Sequence, residues 1–219
     1  MELTEEKLRQ IIKKVIQEQT GQASDPHRVQ VSVSNHHIHL TEDDFKTLFP
    51  GQKMTPFKPL KQPKEFASTS VADVVGPNGK ISHVRVLGPC RSHSQVEISR
   101  SEAIAIGVDA PIRLSGHLDG APSVKLVTPD GEVTVQGVIV AKRHIHMSND
   151  DAAKLGVKLG DLVSVEIKTP DRCTIYNDVV ARPREDFVEE MHIDTDEASA
   201  ANVGMGAPTF GRIIVPEKK

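Results

Sequence analysis

His37-Ile-His-Leu-Thr-Glu-Asp-Asp44 and His144-Ile-His-Met-Ser-Asn-Asp-Asp151 are two copies of one pattern in this chain. Each reads as the polar-apolar-polar end of a strand followed by a hydroxyl suited to capping a helix. Gln95-Val-Glu-Ile-Ser-Arg-Ser-Glu102 is a third copy. A fourth, His192-Ile-Asp-Thr-Asp-Glu-Ala-Ser199, matches only through its first few residues. Thr41, Ser99 and Ser148 each precede an acid by three residues (Asp44, Glu102 and Asp151), the arrangement of a capping box or its Asp variant. Asp196 is expected to cap the fourth helix, and Gly107, Gly156 and Gly204 to close three of the four.

The register of these copies carries the chemistry. His39, Glu97 and His146 share the slot two residues before the cap, while His37, His144 and His192 share the slot two residues earlier. Side chains at i and i+2 of a strand project to one face, so an H-x-H pair offers two imidazoles to one cation. Six such groups at equivalent strand ends suit two ions better than one. The imidazole and carboxylate set, with no nearby Cys, points to Zn²⁺ and leaves Fe, Co and Mn open. One H-x-H arises readily by chance in a chain with 10 His. Two in the same register, with Glu and His in matching slots of other copies, are harder to dismiss. His27, His36, His83, His93 and His117 fall outside the pattern and read as surface or outer-shell residues.

Around the repeat, Val29, Val31 and Val33 alternate with polar residues, and further strands are expected over 71–75, 81–87, 94–98, 124–127, 132–141, 162–168, 174–181 and 187–193. Only short helices fit between them. The expectation is a β-rich α+β protein of two small β-barrels with short capped helices, the first barrel from 27–92 and 188–219, the second from 93–187. Residues 1–26 stand apart. Leu8, Ile11, Ile12, Val15 and Ile16 form an apolar stripe at helical spacing, and Thr20-Gly-Gln-Ala-Ser-Asp-Pro26 breaks it. That helix either docks on the body of the chain or is presented to another protein.

Composition excludes several classes. A net charge of −3 gives no electrostatic case for a nucleic-acid binder, and an anionic substrate would need a local positive site. Apolar runs are strand-sized, so no membrane span is expected. Cys90 and Cys173 are the only cysteines and make no disulfide framework, which suits a reducing, intracellular compartment.

Asn35-His-His-Ile-His-Leu40, Gly88-Pro-Cys-Arg-Ser-His-Ser-Gln-Val-Glu-Ile-Ser-Arg100, Arg143-His-Ile-His-Met147 and Glu190-Met-His-Ile-Asp-Thr-Asp-Glu-Ala198 together resemble the PduL-type phosphotransacylase, or phosphate propanoyltransferase, family, over about Val31 to Ala201. The resemblance implies a two-barrel enzyme with two Zn²⁺ per chain, interconverting acyl-CoA plus phosphate with acyl phosphate plus coenzyme A. It places the metal ligands at His37, His39, Glu97, His144, His146 and His192, a phosphate-holding arginine at Arg91, and CoA contacts at Ser34, Lys58, Arg85 and Leu87. It also implies that residues 1–20 engage microcompartment shell or cargo proteins, that the enzyme works in a bacterial microcompartment lumen, and that a homo-oligomer is compatible. The chain departs from the family, which commonly has Arg where His36 stands, acidic residues near Thr69 and Ser70, and an aromatic near Ile104; the last bears on how the CoA adenine packs.

Two other readings of the residues stay open: a metal-dependent hydrolase, and a zinc-stabilised structural module. Structural zinc sites usually close with four protein ligands, whereas six ligands over two ions leave positions open. Within the transferase reading, an acyl-enzyme on Cys90 competes with direct attack of phosphate.

Overall fold

The computed structural model describes residues 25–204 and 208–216. The N-terminal amphipathic stripe lies outside them. Strand β1 (Arg28–Val33) leads to β2 (His37–His39), helix α1 (Glu42–Leu48), β3 (Pro56–Pro59), β4 (Phe66–Val75) and β5 (Lys80–Gly88). There follow β6 (Gln95–Ile98), α2 (Arg100–Ile106), β7 (Ile112–Arg113), β8 (Ser123–Val127), β9 (Glu132–Gln136) and β10 (Val138–Ala141). The last third holds β11 (His144–Met147), α3 (Asn149–Leu155), β12 (Leu162–Lys168), β13 (Cys173–Pro183), β14 (Glu190–Ile193), α4 (Thr195–Ala201) and β15 (Thr209–Ile214).

The strands form a closed barrel in the order β1-β14-β11-β13-β12-β15 and a 9-stranded sheet in the order β7-β10-β6-β2-β5-β4-β8-β9, with β3 paired to β4. The β-rich, two-unit architecture expected from the sequence is therefore present. Its partition differs from the segments 27–92 with 188–219, and 93–187. The sheet takes 37–141, and the barrel takes 28–33 with 144–214.

Pairing of the repeats explains the difference. β2 runs antiparallel to β6, and β11 antiparallel to β14, so consecutive copies pair and each unit takes two of them. Parallel strands flank each pair: β5 and β10 in the sheet, β13 and β1 in the barrel. β5, β10 and β13 each follow their own copy's helix, with one or more strands in between. β1 arrives instead from the other end of the chain, which ties residues 28–33 to the distal unit.

Each unit has its own aliphatic core. Ile38, Val86, Val96 and Val138 lie in one cluster, and Ile145, Val165, Met191 and Ile213 in the other. These residues alternate with the polar ones, so the histidines of β2 and β11 point away from the cores. Thr41, Ser99 and Ser148 cap their helices, each accepting from the backbone N–H three residues on. The fourth cap is Asp194, not Asp196, and it forms a full capping box with Glu197. Gly107 (φ 76) and Gly156 (φ 69) end their helices in the left-handed region as expected, but Asn202 (φ 56) replaces Gly204 in that role.

Candidate functional site

Among the described residues, two groups of side chains bring possible ligand atoms within 4.8 Å of one another: His37, His39 and Glu97, and His144, His146 and His192. Strand register makes them. His37 lies opposite Glu97 and His39 opposite Gln95; His144 lies opposite His192 and His146 opposite Glu190. The fourth repeat is thus shifted by two residues from the sequence alignment. His192 occupies the slot of Glu97, and Glu190 that of Gln95. The signal for this was present in Asp194-x-x-Glu197, which fixes the helix start two residues earlier than Asp196 would.

All but His192 are buried, and His192 is half-buried. Ring nitrogens are arranged alike in both groups. His37 Nδ1 pairs with the Asn35 carbonyl at 2.8 Å and His144 Nδ1 with the Lys142 carbonyl at 2.9 Å, leaving each Nε2 for other use. His39 Nδ1, His146 Nδ1 and His192 Nε2 are buried without a hydrogen-bond partner. His192 Nε2 lies 3.2 Å from Glu190 Oε2, an ion-pair distance without the alignment of a hydrogen bond. Unsatisfied buried nitrogens are costly, and those of His39 and His146, one in each cluster and neither facing a carboxylate as His192 Nε2 does, point to an electron-pair acceptor at each site. Nitrogen and carboxylate donors without thiol fit a borderline divalent cation such as zinc.

The electrostatics agree with ligation. Burial pulls the His144 pKa down to about 3 and the His146 pKa to about 2, helped by neighbouring imidazoles and Arg182. Burial also lowers His39, with His37 and Arg91 adding to it. These rings are neutral, the form a metal takes. Burial alone would raise Glu97, but His37 and His39 hold it far below the ordinary carboxylate range, while Glu97 raises His37 despite burial. Glu97 and His144 affect each other's charge, so the two groups share one electrostatic neighbourhood.

Arg91 joins this neighbourhood. Its backbone N–H donates to the Leu40 carbonyl at 2.8 Å, and its guanidinium donates to Ser115 Oγ at 3.0 Å and Glu65 Oε1 at 3.1 Å. Of the expected CoA contacts, Arg85 and Leu87 lie directly opposite His37 and His39 on β5. Arg85 donates to the Ser68 and Thr69 carbonyls. Lys58 is exposed on β3, and Ser34 donates its backbone N–H to the Ile193 carbonyl at 2.7 Å. Of the departures, His36 pairs with Glu102 at 2.5 Å, and Ile104 is 66% exposed.

The connection between β3 and β4 fastens the sheet to the barrel. Gln62 donates to the Val188 carbonyl at 2.9 Å and to Glu190 Oε2 at 3.2 Å, and accepts from Val188 N–H. Lys61 donates to the Glu189 carbonyl at 2.9 Å. The residues the sequence reading passed over are therefore Gln95, Glu190, Gln62, Glu65 and Ser115. Apart from Gln95 with Glu97 and Glu190 with His192, each two residues apart, their partners lie far off in the chain.

Fold and site together define a two-unit β protein with paired histidine-rich clusters held between neighbouring strands of each unit. A profile of the phosphate propanoyltransferase family matches residues 30–204. The chain is 71% identical to a phosphate propanoyltransferase of Levilactobacillus brevis over 97% of its length and 99% of the relative's. It is 57% identical to one of Limosilactobacillus reuteri (99% of this chain, 100% of the relative) and 45% identical to one of Salmonella typhimurium (98% and 100%). The chain belongs to the phosphate propanoyltransferase family, the PduL-type phosphotransacylases, and is an acyltransferase.

Proposed function

We propose that the chain interconverts acyl-CoA plus phosphate with acyl phosphate plus CoA, on propanoyl or acetyl groups, at two metal sites held by His37, His39 and Glu97 and by His144, His146 and His192. The observation that carries this is the pair of buried triads with unpartnered ring nitrogens. Three protein ligands per ion leave a position open for substrate, as in catalytic zinc sites. Bound there, divalent zinc would supply Lewis acidity to phosphate and thioester oxygens.

The protein's own groups do the rest. An anionic oxygen of hydrogen phosphate attacks the thioester carbonyl carbon; the C–O bond forms, the C–S bond breaks, and the sulfur leaves as the thiol with the proton the phosphate gives up. Arg91 meets the phosphate charge with a guanidinium already oriented by Ser115 and Glu65. Holding phosphate and thioester side by side can itself supply about 7 kcal/mol of the barrier. Lys58 and Arg85 offer positive charge for the CoA phosphates, and Ser34 and Leu87 further contacts. Direct attack is favoured over an acyl-enzyme on Cys90, because burial and Glu42 push the Cys90 thiol up, away from the nucleophilic thiolate. Residues 1–20 are proposed to bind shell or cargo proteins, placing the enzyme in a microcompartment lumen; the support is their amphipathic stripe and the polar linker after it.

The test is release of free CoA thiol from acetyl-, propanoyl- and butanoyl-CoA with and without phosphate. Release should require phosphate, and release without it would favour the hydrolase reading. The same assay on a chain lacking residues 1–26 should give unchanged turnover with encapsulation lost. Lost turnover in a folded truncation would favour a helix docked on the body.

A further inference from the structure

In the observed register, each triad has a fourth strand residue in an equivalent place: Gln95 beside Glu97 in the sheet, Glu190 beside His192 in the barrel. Gln95 is buried. Its Nε2 donates to Glu97 Oε1 at 2.5 Å and to Ser115 Oγ at 2.9 Å, and its Oε1 accepts from Gly116 N–H at 2.7 Å. It fixes one ligand from two residues away. We propose that Glu190 does the same for His192, as a positioning residue whose carboxylate orients the imidazole and balances the charge of the second site without ligating.

The geometry points this way. Glu190 is 6% exposed, and its Oε1 accepts from Ser32 Oγ at 2.5 Å. Its Oε2 accepts from Gln62 at 3.2 Å and stands 3.2 Å from His192 Nε2. Ser32 belongs to β1 and Gln62 to the β3–β4 connection, so two separate parts of the chain hold this carboxylate still. An imidazole gives a cation one nitrogen and needs an acceptor for the proton on the other. His37 and His144 use main-chain carbonyls two residues back. For His192 the acceptor at hand is Glu190.

Charge supports the assignment. The sheet triad contains its own carboxylate, Glu97, whereas the barrel triad consists of three imidazoles. A neutral Gln beside the first and an anionic Glu beside the second give each cluster one buried carboxylate. A dication among three neutral rings is better held with that negative charge nearby.

This inference rests on reading the barrel triad as a metal site, and the experiment separates the two. Zinc is titrated into the metal-free full chain in competition with a chromophoric chelator, for wild type and Glu190→Gln, with thermal unfolding of each metal-free protein measured alongside. Wild type should take up two equivalents. In Glu190→Gln one binding step should weaken about 10–100-fold, as for other outer-shell partners, with the other step and the unfolding transition unchanged. Gln62→Met, which removes one of the two bonds that hold the carboxylate but leaves its charge beside His192, should weaken the same step by less than Glu190→Gln and leave the other step unchanged. Two wild-type-like steps in Glu190→Gln would overturn the proposal, as would loss at both steps together with a lowered transition, the mark of a fold brace. If Glu190→Gln does not fold, Glu190→Asp decides by the same criterion: loss at one step supports, and no loss or loss at both overturns. A wild type that takes up no second equivalent would count against the metal site itself.

Discussion

Arg91 is held in place before any substrate arrives, by Glu65 on one side and Ser115 on the other. Losing a charge-assisted bond of this kind costs about 1.5–3 kcal/mol, roughly 10- to 150-fold. Arg91→Ala should therefore raise the phosphate KM or lower kcat by that order, and Arg91→Lys should recover it only in part, since an ammonium lacks the planar fork. Unchanged phosphate kinetics would remove Arg91 from its assigned role. Glu189 makes a second residue-scale case. Burial, and then the charge of Asp151, push its pKa up to about 7, and its Oε1 is buried without a partner. The folded state thus holds the proton more tightly than the unfolded chain. The resulting stability is full below the ordinary carboxylate value of 4.5 and is lost as pH rises through about 7. Glu189→Gln should then stabilise the protein at pH 8 by about 1 kcal/mol, after allowance for solvent screening, and change little at pH 4. Denaturant titrations at the two pH values check this, and an equal effect at both would contradict it. At this scale the six proposed ligands were legible because an H-x-H pair depends only on the two-residue period of a strand. The grouping into triads was not, since it depends on which strands pair. Gln95 and Glu190 were hidden by a two-residue error in the fourth repeat, and Glu65 and Ser115 by sequence distance from Arg91.

That error belongs to the element scale, where a helix start decides which strand residues line up. Asp194 is buried, accepts from Glu197 N–H at 2.8 Å, and in return donates its own N–H to Glu197 Oε2 at 3.0 Å. Asp196 instead accepts from Ser101 N–H at 2.8 Å, reaching the first turn of α2. Asp194→Ala should cost about 1 kcal/mol, or about 2–4 °C in thermal unfolding for a chain of this size, and more than Asp196→Ala. The reverse order would restore the sequence alignment of the repeat. Other elements show where local patterns fail. β15 was not expected because Gly211 stands at an inward position; a Cβ there would lie 2.5 Å from the Val165 side chain, so close packing demands the residue that blurs the alternation. The expected strand 132–141 breaks at Gly137 (φ 143), so β9 pairs with β8 while β10 turns to β6 and β7. β3 carries Pro at both ends and lies exposed on β4, where lost N–H donors cost little.

For the whole molecule, two units with separate cores are joined by the chain itself, by Gln62 and Lys61 on the barrel, and by Ser101 on Asp196. The fold class was legible because alternating Val, Ile and Leu strands between short capped helices leave few other solutions. The partition was not, because nothing local records that β2 pairs with β6 and β11 with β14; of these and the parallel pairing of β1 with β14, only the last fell within an expected barrel. The same pairing sets β1 beside the strand of His192 and lets Ser32 reach Glu190. The central claim, two metal sites built on equivalent strand pairs, is tested most directly by elemental analysis of purified, active full-length protein, repeated after chelation. The account predicts two divalent ions per chain, loss of acyl transfer when they are removed, and recovery on adding zinc. Active protein with no bound metal, or transfer that survives complete chelation, would contradict it.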